Sequence, residues 1–202
     1  YEAWPAQLVG NTNLNRFNAV RIAYTVPHGD WLLNTTLSNY GDLWRVTDIG
    51  AGGTPGFGGG AGGILATWII ASCEVLPSFF DRANEVGTAG NGYRAFDAWW
   101  QVFKGLHNAI GYRTVMFYPN TPLNNEFGYN SGLGGDVVAN WFQAITAHGS
   151  NSTYVNAHLK NGLRSRYDRG SAMVDARNLG QSIYSINSQS AAGTLWNFWM
   201  GD

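Results

Sequence analysis

A thiol and an imidazole are the two groups in this chain best suited to do covalent chemistry together. Cys73 is the single cysteine of the 202-residue sequence, and His28 is one of four histidines. Each follows a hydrophobic run. Asn-Ala-Val-Arg-Ile-Ala-Tyr-Thr-Val over 18–26 leads through Pro27 into His28-Gly29-Asp30, and Gly-Ile-Leu-Ala-Thr-Trp-Ile-Ile-Ala over 63–71 leads into Ser72-Cys73-Glu74. A thiol with a pKa of about 8.5 is only a few per cent thiolate at neutral pH, and an imidazole within reach can take its proton or stabilise the anion. Acyl transfer also needs donors for the developing oxyanion. The backbone N–H of Gly29, with no side chain to obstruct a substrate, and that of Cys73 suit this role. Trp31, Ser72 and Glu74 flank the pair and are candidate substrate contacts, as is Asp175 in Met173-Val174-Asp175-Ala176. The alternative for Cys73 is a small buried hydrophobe, since a lone thiol forms no internal disulfide.

Positioning these groups requires two neighbouring strands. Segment 18–26 alternates and is rich in β-branched and aromatic residues, as on a pleated surface. Segment 63–71 is apolar almost throughout, as in a parallel-sheet strand covered on both faces. If the two are parallel neighbours, His28 and Cys73 emerge at the same carboxyl edge, where open α/β sheets collect ligands. A third strand is expected over 114–118, stopped by Pro119. Phe96, Trp99, Trp100, Phe103, His107 and Ile110 recur at three- and four-residue steps and predict a helix closed by Gly111. Asp136 is an N-cap for a helix through Val137, Val138, Trp141, Phe142 and Ile145 to near Gly149. A further helix is expected over 152–164 and a final strand over 194–200. This alternation predicts one α/β domain spanning 1–202, a three-layer sandwich around a mostly parallel central sheet.

Composition limits the partners. Lys plus Arg is 12 and Asp plus Glu 13, a formal charge of −1, without the basic surplus of a nucleic-acid binder. The longest apolar run, 62–71, is far short of the roughly 20 residues of a membrane span. Only Lys104 and Lys160 are lysines, and the Asn-, Gly- and Trp-rich remainder suits an extracellular or periplasmic protein. Nine of the fourteen residues over 50–63 are glycine, and Gly58, Gly60 and Gly63 fit G-x-G-x-x-G. That motif must follow a strand and open a helix, whereas here it opens a strand, so a flexible connection or flap is expected and no dinucleotide cofactor. His107 reads as a core histidine, and His148 and His158 match no zinc spacing, so no metal is expected. Asp48 and Asp175 read as solvated carboxylates or as selectors of a basic side chain. Trp31, Trp44, Trp68, Trp196 and Trp199 read mainly as core filling, with a few rings available to stack on peptide or sugar. The oligomeric state is not fixed by the sequence.

A strand ending in His-Gly, followed some forty to fifty residues later by a strand ending in Ser-Cys, resembles the caspase-like cysteine peptidases: caspases, metacaspases, gingipains and legumains. Ser72-Cys73-Glu74 is closest to the legumain form, with Glu after the nucleophile, and the likeness covers 18–76 as motif. The segment Trp99 to His107 is also similar to an uncharacterised bacterial domain family with the same His-Gly and Cys arrangement. The resemblance implies a caspase-like fold, Cys73 as nucleophile, His28 as acid/base and Gly29 N–H in the oxyanion hole. It further implies a peptide or protein substrate and an acyl-enzyme route of hydrolysis or transfer, without a cofactor. Pro27 departs from the family, which more often has a small hydroxyl residue there. The reading that keeps the fold without the chemistry is an extracellular module binding peptide or carbohydrate.

Overall fold

The computed structural model describes residues 17–26, 28–29, 34–36, 43–46, 49, 56–76, 99–116, 120–149, 168–185 and 190–200. Its central sheet has the order β1 (Ile22–Thr25), β5 (Thr67–Ile70), β6 (Asn108–Tyr112), β7 (Gly170–Asp175) and β8 (Leu195–Trp199). Between β1 and β5 the chain forms a second, antiparallel sheet from β2 (His28–Gly29), β3 (Asn34–Thr36) and β4 (Leu43–Arg45). In the central sheet β1, β5 and β6 are parallel, β7 runs against β6, and β8 runs against β7. The sheet is therefore mixed rather than mostly parallel.

All residues of β5, β6 and β7 are buried, so these strands carry apolar side chains on both faces. One face presents Ala23, Trp68, Ile70, Ala109 and Met173 to Phe57, Trp99, Phe103 and Leu106. The opposite face presents Ile69, Ile110, Ala172 and Val174 to helices α1 (Thr121–Gly132) and α2 (Val137–His148). Trp141 of α2 seals this second layer: its indole N–H donates to the Gly111 carbonyl at 3.0 Å, and its ring meets Tyr112 and Phe127 edge-on. The described chain is thus compatible with a three-layer α/β arrangement.

Asp136 caps α2 as its position predicts, accepting from Val138 N–H at 2.8 Å and Ala139 N–H at 3.0 Å. The final strand forms at 195–199. Helix α1 was not expected; Asn120 caps it by accepting from Leu123 N–H at 3.2 Å, with Pro122 in its first turn. The helix expected through Ile110 stops early. Residues 99–102 are helical, Gly105 takes φ +111°, and Asn108–Tyr112 is the central strand β6. A run buried on every side satisfies a helical spacing as readily as a strand, and here the positive φ at Gly105 breaks the helix. The strand expected over 114–118 lies six residues earlier, and 114–116 is not a strand.

The described part of the glycine segment, 56–63, is packed rather than free. Phe57 is fully buried, its N–H donates to the Val102 carbonyl, and its own carbonyl accepts from Lys104 and Leu106. Gly58, at φ +100°, lies so close to Gly105 and Leu106 that a Cβ there would fall 2.0 Å from backbone carbon. Glycine serves here for close backbone approach. The helix expected over 152–164, and Trp31, Asp48 and His158, lie outside the described residues.

Candidate active site

The His28 and Cys73 segments leave adjacent parallel strands. Register pairs Thr25 with Ile70, and Ala71 N–H donates to the Thr25 carbonyl at 2.8 Å, extending the ladder to the edge of the sheet. Three residues beyond each of those partners come His28 and Cys73. His28–Gly29 turns into the second sheet, where His28 pairs with Thr36 and Gly29 with Thr35. The backbones of the two segments remain in contact. A Cβ built on Gly29 would lie 2.2 Å from Ser72 Oγ and 2.3 Å from the Cys73 carbonyl oxygen. Glycine is required at 29 because Ser72-Cys73 occupies the volume a side chain would need.

Cys73 is half-buried, and its Sγ lies 3.6 Å from the Met116 carbonyl oxygen, to which the thiol donates. Burial pushes the thiol above its ordinary pKa, and the carboxylates of Glu74 and Asp168 push the same way. The proton therefore rests on sulfur at neutral pH. Glu74 adopts φ +53°, outside the regions favoured by residues with a side chain. Its N–H donates to the Thr114 carbonyl at 3.1 Å and that of Leu76 to the Tyr112 carbonyl at 3.2 Å, which ties the turn after Cys73 to the continuation of β6. Ser72 is buried, so its hydroxyl is not a surface contact for a substrate.

Asp175 requires correction. It ends β7, but β7 is antiparallel to β6, with Val174 opposite Asn108 at the start of β6. Asp175 thus stands at the sheet edge opposite Cys73 rather than beside it. It is also fully buried rather than solvated. Its carboxylate accepts from Arg177 N–H at 3.0 Å and pairs with the Arg177 guanidinium, Nη2 to Oδ2, at 2.5 Å. The same antiparallel run brings the residues before β7 to the Cys73 edge, so Asp168 is the carboxylate that sequence reasoning missed. It is buried, has φ +54°, and its N–H donates to the Val115 carbonyl at 2.9 Å. Nothing in its local sequence marks it, because its place follows from the direction of β7.

Two other histidines, His107 and His148, lie among the described residues. His107 is buried before β6, and its carbonyl accepts from Asp175 N–H at 2.9 Å. His148 ends α2 with Nε2 at 2.6 Å from Glu126 Oε2. Among the described residues no three His, Cys, Asp or Glu side chains converge on a common point. No helix among them is long and apolar enough to cross a membrane. Trp68 is core, as its position suggests, but Trp196 and Trp199 are exposed, with the Trp196 and Phe198 rings within 13° of parallel. No family model, curated protein or solved structure matches this chain.

Proposed function

We propose that this chain is a cysteine hydrolase or acyl transferase of the caspase-like kind, acting on peptide bonds through Cys73 and His28. The observation that carries the reading is the abutment of Gly29 on Ser72-Cys73 at the carboxyl edge of two parallel strands. Residues 43 and 44 positions apart in sequence are thereby brought into contact, and the glycine beside the histidine is sterically obligatory. Either feature alone would carry little weight.

In this mechanism His28 acts as general base, because burial leaves the proton on the resting thiol. The imidazole accepts that proton as Sγ attacks the substrate carbonyl carbon. The C–S bond forms, and the carbonyl π electrons move to oxygen, where the N–H groups of Gly29 and Cys73 receive the charge. Collapse of the tetrahedral intermediate breaks the C–N bond, and the imidazolium returns its proton to the departing amine. A water or a second amine, deprotonated by His28, then attacks the thioester and restores the thiol.

Turnover of a panel of fluorogenic peptide amides tests the proposal. Cys73→Ala is expected to abolish turnover while leaving the circular dichroism spectrum unchanged, and a fully active Cys73→Ala protein would sink it. The second reading, a binding module, draws on the exposed rings of Trp196 and Trp199 and on the raised thiol. It expects Cys73 to resist iodoacetamide at neutral pH, and oligosaccharide or peptide binding that Trp196→Ala removes.

A further inference from the structure

Ser72 presents a puzzle of chemistry rather than of packing. Its Oγ is buried and has no hydrogen-bond partner among the described residues. The same oxygen and its Cβ press against Gly29, at 2.2 and 3.3 Å from the point where a Cβ of residue 29 would stand. Alanine would supply that Cβ contact equally well, without leaving a buried hydroxyl unpaired, a state that opposes folding. A hydroxyl kept at such a place, between the histidine segment and the cysteine, is explained if its partner exists in another state of the site.

We propose that Ser72 is a positioning residue for the Cys73–His28 pair. Its contact with Gly29 sets the separation of the two segments, and its hydroxyl dipole turns to stabilise the pair when that pair carries charge. The inference rests on the dyad reading, but it acts through the pair and needs no contact with substrate. A buried dipole one residue from a developing charge acts through a low local dielectric, so it is felt more strongly there than in water. It also costs no reorganisation of bulk solvent at the moment of reaction.

The test is the pH dependence of Cys73 alkylation by iodoacetamide, which requires no substrate, measured on wild type, Ser72→Ala, His28→Ala and the double variant. Ser72→Ala is expected to unfold at the same temperature as wild type or higher, because an unpaired buried hydroxyl has been removed. Its alkylation midpoint is expected to rise by about one pH unit, the scale of one hydrogen bond to a charged group. In the His28→Ala background the same substitution is expected to leave the midpoint unmoved, since the effect operates through the pair. An unchanged midpoint in Ser72→Ala, or an equal shift with and without His28, overturns the proposal. Failure of the dyad reading shows up separately, as turnover that survives Cys73→Ala.

Discussion

Gly29→Ala is the substitution with the sharpest consequence. The new Cβ would lie 2.2 Å from Ser72 Oγ and 2.3 Å from the Cys73 carbonyl oxygen. The serine oxygen can rotate away, but the carbonyl is backbone and cannot. An ordinary contact begins near 3.4 Å, so the two segments must separate by about 1 Å. Overpacking of this kind costs about 1–3 kcal/mol. Under the proposed Cys73–His28 mechanism its effect on turnover exceeds its effect on folding, because a misplacement of about 1 Å between reacting groups can cost about 10²-fold in rate. The informative assay pairs kcat on a peptide amide with the urea midpoint of the same preparation. The expected result is a hundredfold loss in kcat alongside a modest loss of stability. Adding Ser72→Ala is expected to restore little, since the carbonyl clash persists. A Gly29→Ala protein with wild-type kcat and wild-type alkylation kinetics would refute the claim that this contact sets the geometry of the pair.

Two further outcomes follow from the charges. The Cys73 thiol is raised by burial in the folded state, so its contribution to stability is complete below the unfolded value, about pH 8.5, and is lost as pH rises through the raised folded value. Urea midpoints of wild type are therefore expected to fall relative to Cys73→Ala above that pH and to run parallel to it below; curves parallel throughout contradict the assignment. Asp175→Asn weakens the pairing with Arg177, whose guanidinium also binds Ser190 and Ala191. Taking the formal charge from a buried partner is expected to lower stability by about 1–3 kcal/mol, read by thermal unfolding. KM on peptide amides should be unaltered, because Asp175 stands at the far edge of the sheet.

Several parts of the fold were legible in local chemistry. The strands before His28 and Cys73 were announced by β-branched and apolar runs, α2 by the Asp136 cap, and β8 by the aromatic run at 195–199. β6 was not, because a stretch buried on both faces has no periodicity of its own, and the aromatic spacing around it mimicked a helix. The described part of the glycine-rich segment, 56–63, departs from the expected flexible connection for a related reason. Glycine content signals conformational freedom, but at Gly58 it answers the close approach of another backbone, which no local pattern records.

The sequence by itself determined which chemistry is available: one thiol, an imidazole followed by glycine, and hydrophobic runs that make each of them strand-terminal. Tertiary structure decided which groups meet. Parallel pairing of β1 with β5 put Gly29 against Ser72-Cys73, while reversal at β7 sent Asp175 to one edge and brought Asp168 to the other. The physical reason is that a strand's residue pattern encodes its burial but not its direction. Direction, settled by the packing of the whole sheet, determines which end of each strand reaches the candidate site.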